Sequence, residues 1–500
     1  MYNIKGATLD NKILKEHMEI IDDHMKKEGL SRRDAIKLMG LTGGAAMMVG
    51  APTSAKASSS AKGKIVIVGG GLAGMSTAAR LTHHLDNPDI TVIEPGELAT
   101  SYQPGQTLVG AGIWDKSEVV YKTDDFVPDG VEIIKEKAVE FDPQNNTVKT
   151  SGGKSIKYDI LIIAAGVKLD YGKIEGLGID QTITSTGDHT PVSKVIGKNG
   201  LASIYYQQGS EDTWKEMQKF IADAKSGKKV KGVYTHPNTP IKCGGAPKKI
   251  MYLTDARLRE AGARDNAELT FYPNGGKMFG IRDYHEAIVK QFEARDMKWH
   301  YKHNLVAVDP EKKIATFDKH WQEKGEYDAD LDEYEMITKH EKVEVPYDFM
   351  HITPPMKAAE EIANSPVGSK KGWVPVNKET LQHVKFPNVF ALGDIAAVPM
   401  GKTGGSARKQ YKVVVDNVIS VMEGKEPTAK YDGYTVCPLI TSIGTVMLAE
   451  FNWESKKLGS GKNAALIPFL DPTEERWIWW LLKVYALKPM TQYGMLSGRA

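Results

Sequence analysis

Cysteine is nearly absent. The 500 residues contain two, Cys243 and Cys437, far apart in the chain. That excludes a disulfide framework and a CxxC metal site. No stretch of about 18 apolar residues exists, so no membrane-crossing helix is expected. A charge surplus is missing too: 65 Lys and Arg stand against 63 Asp and Glu, for a net charge of +2. Nothing in that balance points to nucleic acid. What remains is a soluble globular composition, 41% hydrophobic and 26% charged. The 48 glycines read as many tight turns, and the length predicts two or three domains.

The N-terminal region reads as an address. Ser31, Arg32, Arg33 and Lys37 stand at twin-arginine positions, a Gly/Ala-rich run follows, and Ala55-Lys56-Ala57 is an A-x-A cleavage signal. Ala35-Ile36 departs from the usual Phe-Leu, and the segment before the arginines is long. The twin-arginine route exports folded proteins, which suits an enzyme that loads its cofactor before crossing a membrane.

A dinucleotide cradle follows directly. Ile65 to Val68 is a short apolar run, the pattern of a buried parallel strand. Gly69, Gly71 and Gly74 then supply GxGxxG before a helical stretch, and Ile90 to Ile93 forms a second strand ending in Glu94. Gly69 permits the tight turn, Gly71 lets backbone approach a pyrophosphate, and Gly74 lets helix and strand pack closely. The helix N-terminus offers N–H groups to the phosphates. Glu94, about 20 residues on, is placed to accept a ribose hydroxyl. Strand, glycine loop, helix, second strand and acid occur in order, a far stronger signal than glycines alone.

Two later segments select the cofactor. Tyr158 to Gly166, with Ala165 and Gly166 at its end, resembles the strand that closes FAD domains in the disulfide-reductase superfamily. Phe390-Ala391-Leu392-Gly393-Asp394 resembles that superfamily's second FAD motif, in which the aspartate binds the ribityl chain. The resemblance implies FAD. Between the two lies a second β-α-β unit: a strand over 231–235, a helix over 248–261 and a strand over 267–272. Its connecting loop, His236 to Pro247, lacks GxGxxG, carries prolines that remove N–H donors, and contains Cys243. The second strand ends in Tyr272-Pro273 and no acid. This unit is therefore expected to have lost nicotinamide binding. The charged stretch 319–344 reads as a solvated hairpin or loop.

The loop Asn238 to Ile250 closely resembles the cysteine loop of the mitochondrial-like branch of sulfide:quinone oxidoreductases. Tyr102-Gln103-Pro104 with Thr107 to Gly112, His351 to Met356, Lys378 to His383 and Lys430 to Tyr434 are similar to that branch as well. The likeness runs over nearly all the chain after residue 62. In that family a pair of cysteines beside the flavin oxidises sulfide, and two electrons pass to a quinone. Cys243 matches one of the pair; Lys242, Lys248, Lys249 and the following helix favour its thiolate. The two positions at which relatives carry the partner hold Ile395 and Val374 here. Cys437 lies in a segment that the family shares, where it is not the redox partner. Lys402 matches a family lysine near the flavin ring, where a cation stabilises the reduced anion.

Glu474 to Leu487 places Trp477, Trp480, Leu481, Val484 and Leu487 at helical spacing, with Trp479, Tyr485, Lys483 and Lys488 suited to an interface. A helix lying in the membrane surface is expected. The expected fold class is α/β, with two Rossmann-like domains of the disulfide-reductase type and a C-terminal membrane-associating region. The expected boundaries are a twin-arginine region over 1–57, an FAD domain over 62–180 and 346–425, the cysteine-bearing domain over 181–345, and the quinone-side region over 426–500. The expected function is FAD-dependent electron transfer from sulfide or a related sulfur compound to quinone, in the periplasm at a membrane surface. Two alternatives stand beside it: the flavoprotein subunit of a cytochrome-linked sulfide dehydrogenase, and a flavin-bearing sulfur-binding protein without turnover. The first holds its FAD through a cysteine in the Tyr102 region, which this chain lacks. Homo-oligomerisation is left open.

Overall fold

The computed structural model describes residues 59–100, 103–328, 333–467 and 469–500. The twin-arginine region and Tyr102 lie outside them. In chain order, β1 (Lys64–Val68) leads into α1 (Leu72–His84) and β2 (Asp89–Ile93), followed by β3 (Glu132–Ile134) and β4 (Ile160–Ile163). Next come β5 (Leu201–Ala202), α2 (Gln207–Lys225), β6 (Val230–His236), α3 (Ala246–Glu260), β7 (Ala267–Pro273), α4 (Arg282–Ala294) and β8 (Met297–Trp299). Then follow β9 (His303–Asp309), β10 (Ile314–Asp328), β11 (Glu333–Pro346), β12 (Phe349–His351), β13 (Val389–Ala391) and α5 (Gly404–Met422). The last elements used below are β14 (Thr435–Ser442), β15 (Thr445–Phe451) and α6 (Trp477–Leu481).

Two parallel sheets organise these elements. The first has the order β13-β4-β1-β2-β3, the second β5-β12-β6-β7-β8. Ile65, Val66 and Ile67 of β1 and Leu161 to Ile163 of β4 are fully buried, as unbroken apolar strands covered on both faces must be. Burial of each such side chain contributes roughly 1.5–3 kcal/mol.

The strand over Phe349–His351, expected to open the second half of the FAD domain, belongs to the second sheet. It pairs with β6, Gly232 opposite Phe349 and Tyr234 opposite His351. The repeated Tyr-Asp signature explains why: in each domain the aspartate ties the closing strand to the opening one. The Asp159 carboxylate accepts from Lys64 N at 2.6 Å, and Asp348 accepts from Lys231 N at 2.9 Å.

The charged segment is a long hairpin. β10 and β11 pair antiparallel from Ile314/Pro346 to Asp328/Glu333, and β11 is exposed along almost its whole length. The C-terminal region is not one surface helix. α6 spans five residues, and wide π-type turns follow over Leu482–Ala486 and Met490–Met495. Ile478, Trp479 and Val484 pack with Leu108, Leu253, Ile440 and Leu448. Trp479 and Lys483, expected to face headgroups, are instead buried.

Candidate active site

The glycine loop has the geometry of a phosphate cradle. A Cβ at Gly69 (φ +108°) would lie 2.5 Å from Ala164 O, and one at Gly74 would lie 1.9 Å from Gly69 O. Only glycine fits either position. A Cβ at Gly71 would meet nothing within 4 Å, because the backbone there faces open cavity. The first N–H groups of α1 have no intrahelical partner and make this an anion site. Glu94 accepts from Gly70 N and Gly96 N, each at 2.7 Å, so its carboxylate is fixed at the cavity wall.

That cavity, of about 1020 Å³, is bordered by Gly69, Gly71, Glu94, Ala165, Gly166, Gly393 and Asp394 and reaches Cys243, Lys249 and Lys402. It stands at the upper end of the ~300–1,000 Å³ typical of small-molecule sites. The α5 N-terminus also borders it, capped by Thr403 accepting from Ser406 N at 3.2 Å. Gly74 packs beneath the cradle. An extended dinucleotide fits this outline: glycines at one end, a fixed carboxylate beside them, and a half-buried aspartate on a tight turn further along. Burial raises the Asp394 carboxyl, opposed by the Lys402 and Lys242 charges.

At the far end of the cavity the chain converges on sulfur. Cys243 sits before α3 with φ +55°, a left-handed conformation rare outside glycine. Its N–H donates to Lys402 O at 2.9 Å, joining the cysteine loop to the turn before α5. Lys402 Nζ donates to Asp394 O and lies 4.1 Å from the Trp373 ring centroid; burial pushes it down to about 8. Lys249 Nζ, buried, lies 3.4 Å from Cys243 Sγ.

Cys437 lies against Cys243. It comes from β14, opposite Ala449 of β15, and its thiol hydrogen-bonds the Cys243 sulfur. The Cys437 hydrogen bond and the charges of Lys249 and Lys483 hold the Cys243 thiol well below its usual range, against burial. Cys437 is driven the opposite way, by that same hydrogen bond and by burial. Lys249 is raised because the two sulfurs outweigh its burial. Burial and the neighbouring Lys249 hold Lys483 well below the ordinary lysine value.

Ile395 and Val374 occupy the positions at which relatives carry the partner. Both are fully buried in the first domain's core, and Val374 N donates to Ile395 O at 3.2 Å. In the second domain, Tyr272 at the end of β7 stacks on Phe317 with centroids 4.5 Å apart. An aromatic cluster thus stands at the end of this strand, where a nucleotide-binding domain would carry an acid. Among the described residues, no group of His, Cys, Asp and Glu is arranged to hold a metal.

Two Rossmann-type sheets sharing one long cavity, with a buried cysteine beside a buried lysine at its far end, define a flavoprotein of the disulfide-oxidoreductase type. A family model described as pyridine nucleotide-disulphide oxidoreductase matches residues 63–196. The mitochondrial sulfide:quinone oxidoreductase of Mus musculus is 36% identical over 87% of this chain and 86% of its own length. That of Dictyostelium discoideum is also 36% identical, with the same coverage of 87% and 86%. The solved sulfide:quinone oxidoreductase of Aquifex aeolicus superposes with a TM-score of 0.65 at 20% identity, covering 87% of this chain and 92% of that one; this likeness speaks for the fold. The chain belongs to the sulfide:quinone oxidoreductase family. Its cofactor is FAD, which the cradle, Glu94 and Asp394 fit.

Proposed function

We propose that this protein oxidises sulfide, or a related small sulfur compound, and passes two electrons by way of FAD to a quinone. The observation that carries the reading is Cys243 with Lys249 Nζ 3.4 Å from its sulfur, in the cavity that begins at the glycine cradle. The thiolate is the reactive form of cysteine. FAD supplies a two-electron exchange between a sulfur donor and a quinone. Gly69, Gly71 and the α1 N-terminus hold its pyrophosphate, Glu94 its ribose, and Gly393 and Asp394 its ribityl chain, with Ala165 and Gly166 closing the cradle. Lys402 places a cation where reduction adds negative charge.

The quinone is expected to enter beside the C-terminal region, where Leu482, Leu487, Met490 and Met495 line the same cavity. That region exposes Leu466, Phe469, Tyr485 and Tyr493, aromatic and apolar groups suited to docking on a lipid surface. Among the described residues, no helix is long and apolar enough to cross a membrane, and a surface-docked enzyme does not need one. The Arg32-Arg33 leader supports export to the periplasm with FAD already bound. The test is turnover: the FAD-loaded protein should reduce a short-chain ubiquinone analogue when given sulfide, and Cys243→Ser should not. Quinone reduction by Cys243→Ser at the wild-type rate would refute the assignment.

A further inference from the structure

We propose that Cys437 is the second sulfur of the redox centre, cycling with Cys243 between dithiol and disulfide in place of the partner positions filled by Ile395 and Val374. The proposal rests on the sulfide-oxidising reading above and names the group that completes it.

Four observations carry it. The chain's two cysteines come from distant segments, the loop before α3 and the strand β14, and meet in a buried contact. Gly245 is the residue that permits the meeting: a Cβ there would lie 2.4 Å from Cys437 Sγ. Lys249 is fully buried and bonded to both sulfurs, a placement that a purely apolar thiol pair in a core would make costly. The left-handed backbone at Cys243 adds a strained residue at the same point, as active sites commonly do.

The direction of the chemistry follows from the asymmetry of the pair. Cys243 has the Lys249 ammonium 3.4 Å from its sulfur, which stabilises its thiolate and makes it the better leaving group. Hydrosulfide therefore attacks the Cys437 sulfur of the disulfide. The S–S bond breaks, Cys243 leaves as thiolate beside Lys249, and Cys437 becomes a persulfide. A second hydrosulfide takes the outer sulfur as hydrodisulfide and leaves the Cys437 thiol. The thiol and the thiolate then lose two electrons and one proton as the disulfide re-forms. A quinone is the terminal two-electron acceptor and, with one more proton from solvent, becomes the quinol.

The test is non-reducing peptide mapping of the FAD-loaded, full-length protein. One sample is treated with the ubiquinone analogue and one with sulfide, and each is alkylated before digestion. The expected result is a linked peptide pair containing Cys243 and Cys437 after the quinone. After sulfide the link should be lost, and the Cys437 peptide should carry one extra sulfur. Cys437→Ala and Cys437→Ser should both stay yellow while sulfide-driven quinone reduction falls by about 100-fold or more. Two unlinked thiols after quinone treatment, in protein whose flavin sulfide still bleaches, would overturn the pair and leave the sulfide reading standing. A linked pair in protein that sulfide does not bleach would support the pair and overturn the sulfide reading. Unlinked thiols with no bleaching would overturn both.

Discussion

Replacing Lys249 with Met should raise the Cys243 thiol by removing its nearest cation. At 3.4 Å, a unit-charge pair in an effective dielectric near 20 attracts by about 5 kcal/mol. At about 1.4 kcal/mol per pKa unit, that sets a ceiling of between 3 and 4 units. The Cys437 hydrogen bond and Lys483 still act on the sulfur after the change, so the thiol should rise by only part of that ceiling. The assay is the alkylation rate of the pre-reduced protein by iodoacetamide across pH, read at the Cys243 peptide. Thiolate is the form above the pKa, so wild-type labelling should be nearly flat around neutrality. Lys249→Met should label about 100-fold more slowly at pH 7 and recover as pH rises. Lys249→Arg should keep most of the wild-type profile. Superimposable profiles for wild type and Lys249→Met would refute the cation's role.

Three further outcomes follow from the geometry. Gly74→Ala would place a Cβ 1.9 Å from Gly69 O; it should cost about 2–4 kcal/mol and lower bound flavin per protein, read from the urea midpoint and the flavin absorbance ratio. Burial holds Lys402 near 8, so its charge is present below that pH and lost above it. The rate of flavin bleaching by sulfide should accordingly fall as pH rises through about 8, and Lys402→Met should lose that step; an unchanged step would discount the lysine. Phe469 and Tyr493, 79% and 70% exposed, should anchor the protein to lipid. Phe469→Ser with Tyr493→Ser should weaken binding to phosphatidylglycerol-containing vesicles by roughly 10-fold or more, and unchanged co-sedimentation would remove this surface from the docking face.

The cradle was legible in the sequence because its parts are local. Gly69, Gly71, Gly74 and Glu94 fall within one β-α-β unit, and spacing alone gives them roles. Cys243 was legible as a departure, a thiol where a phosphate loop would stand. The Cys437 contact was not, because it joins a loop to a strand almost two hundred residues later, and no periodicity reports a contact at that range. The resemblance also directed attention to Ile395 and Val374, whose buried packing in the first core leaves no thiol there. The burial of Lys483 is hidden from the sequence for a related reason. Helical spacing in Trp477 to Leu487 marks an apolar face but does not say what covers it, and here much of that segment, Lys483 with it, folds onto the protein. The sheet that Phe349–His351 joins is not legible in the sequence, because Tyr158-Asp159 and Tyr347-Asp348 carry the same signature. Each aspartate in fact binds the opening strand of its own domain.

The measurement that bears most directly on the whole account is the flavin absorbance of the purified protein when sulfide is added without oxygen and a quinone analogue afterwards. Bleaching by sulfide, recovery on quinone, and no bleaching in Cys243→Ser are expected. A flavin that stays oxidised in wild-type protein at saturating sulfide would contradict the sulfide reading.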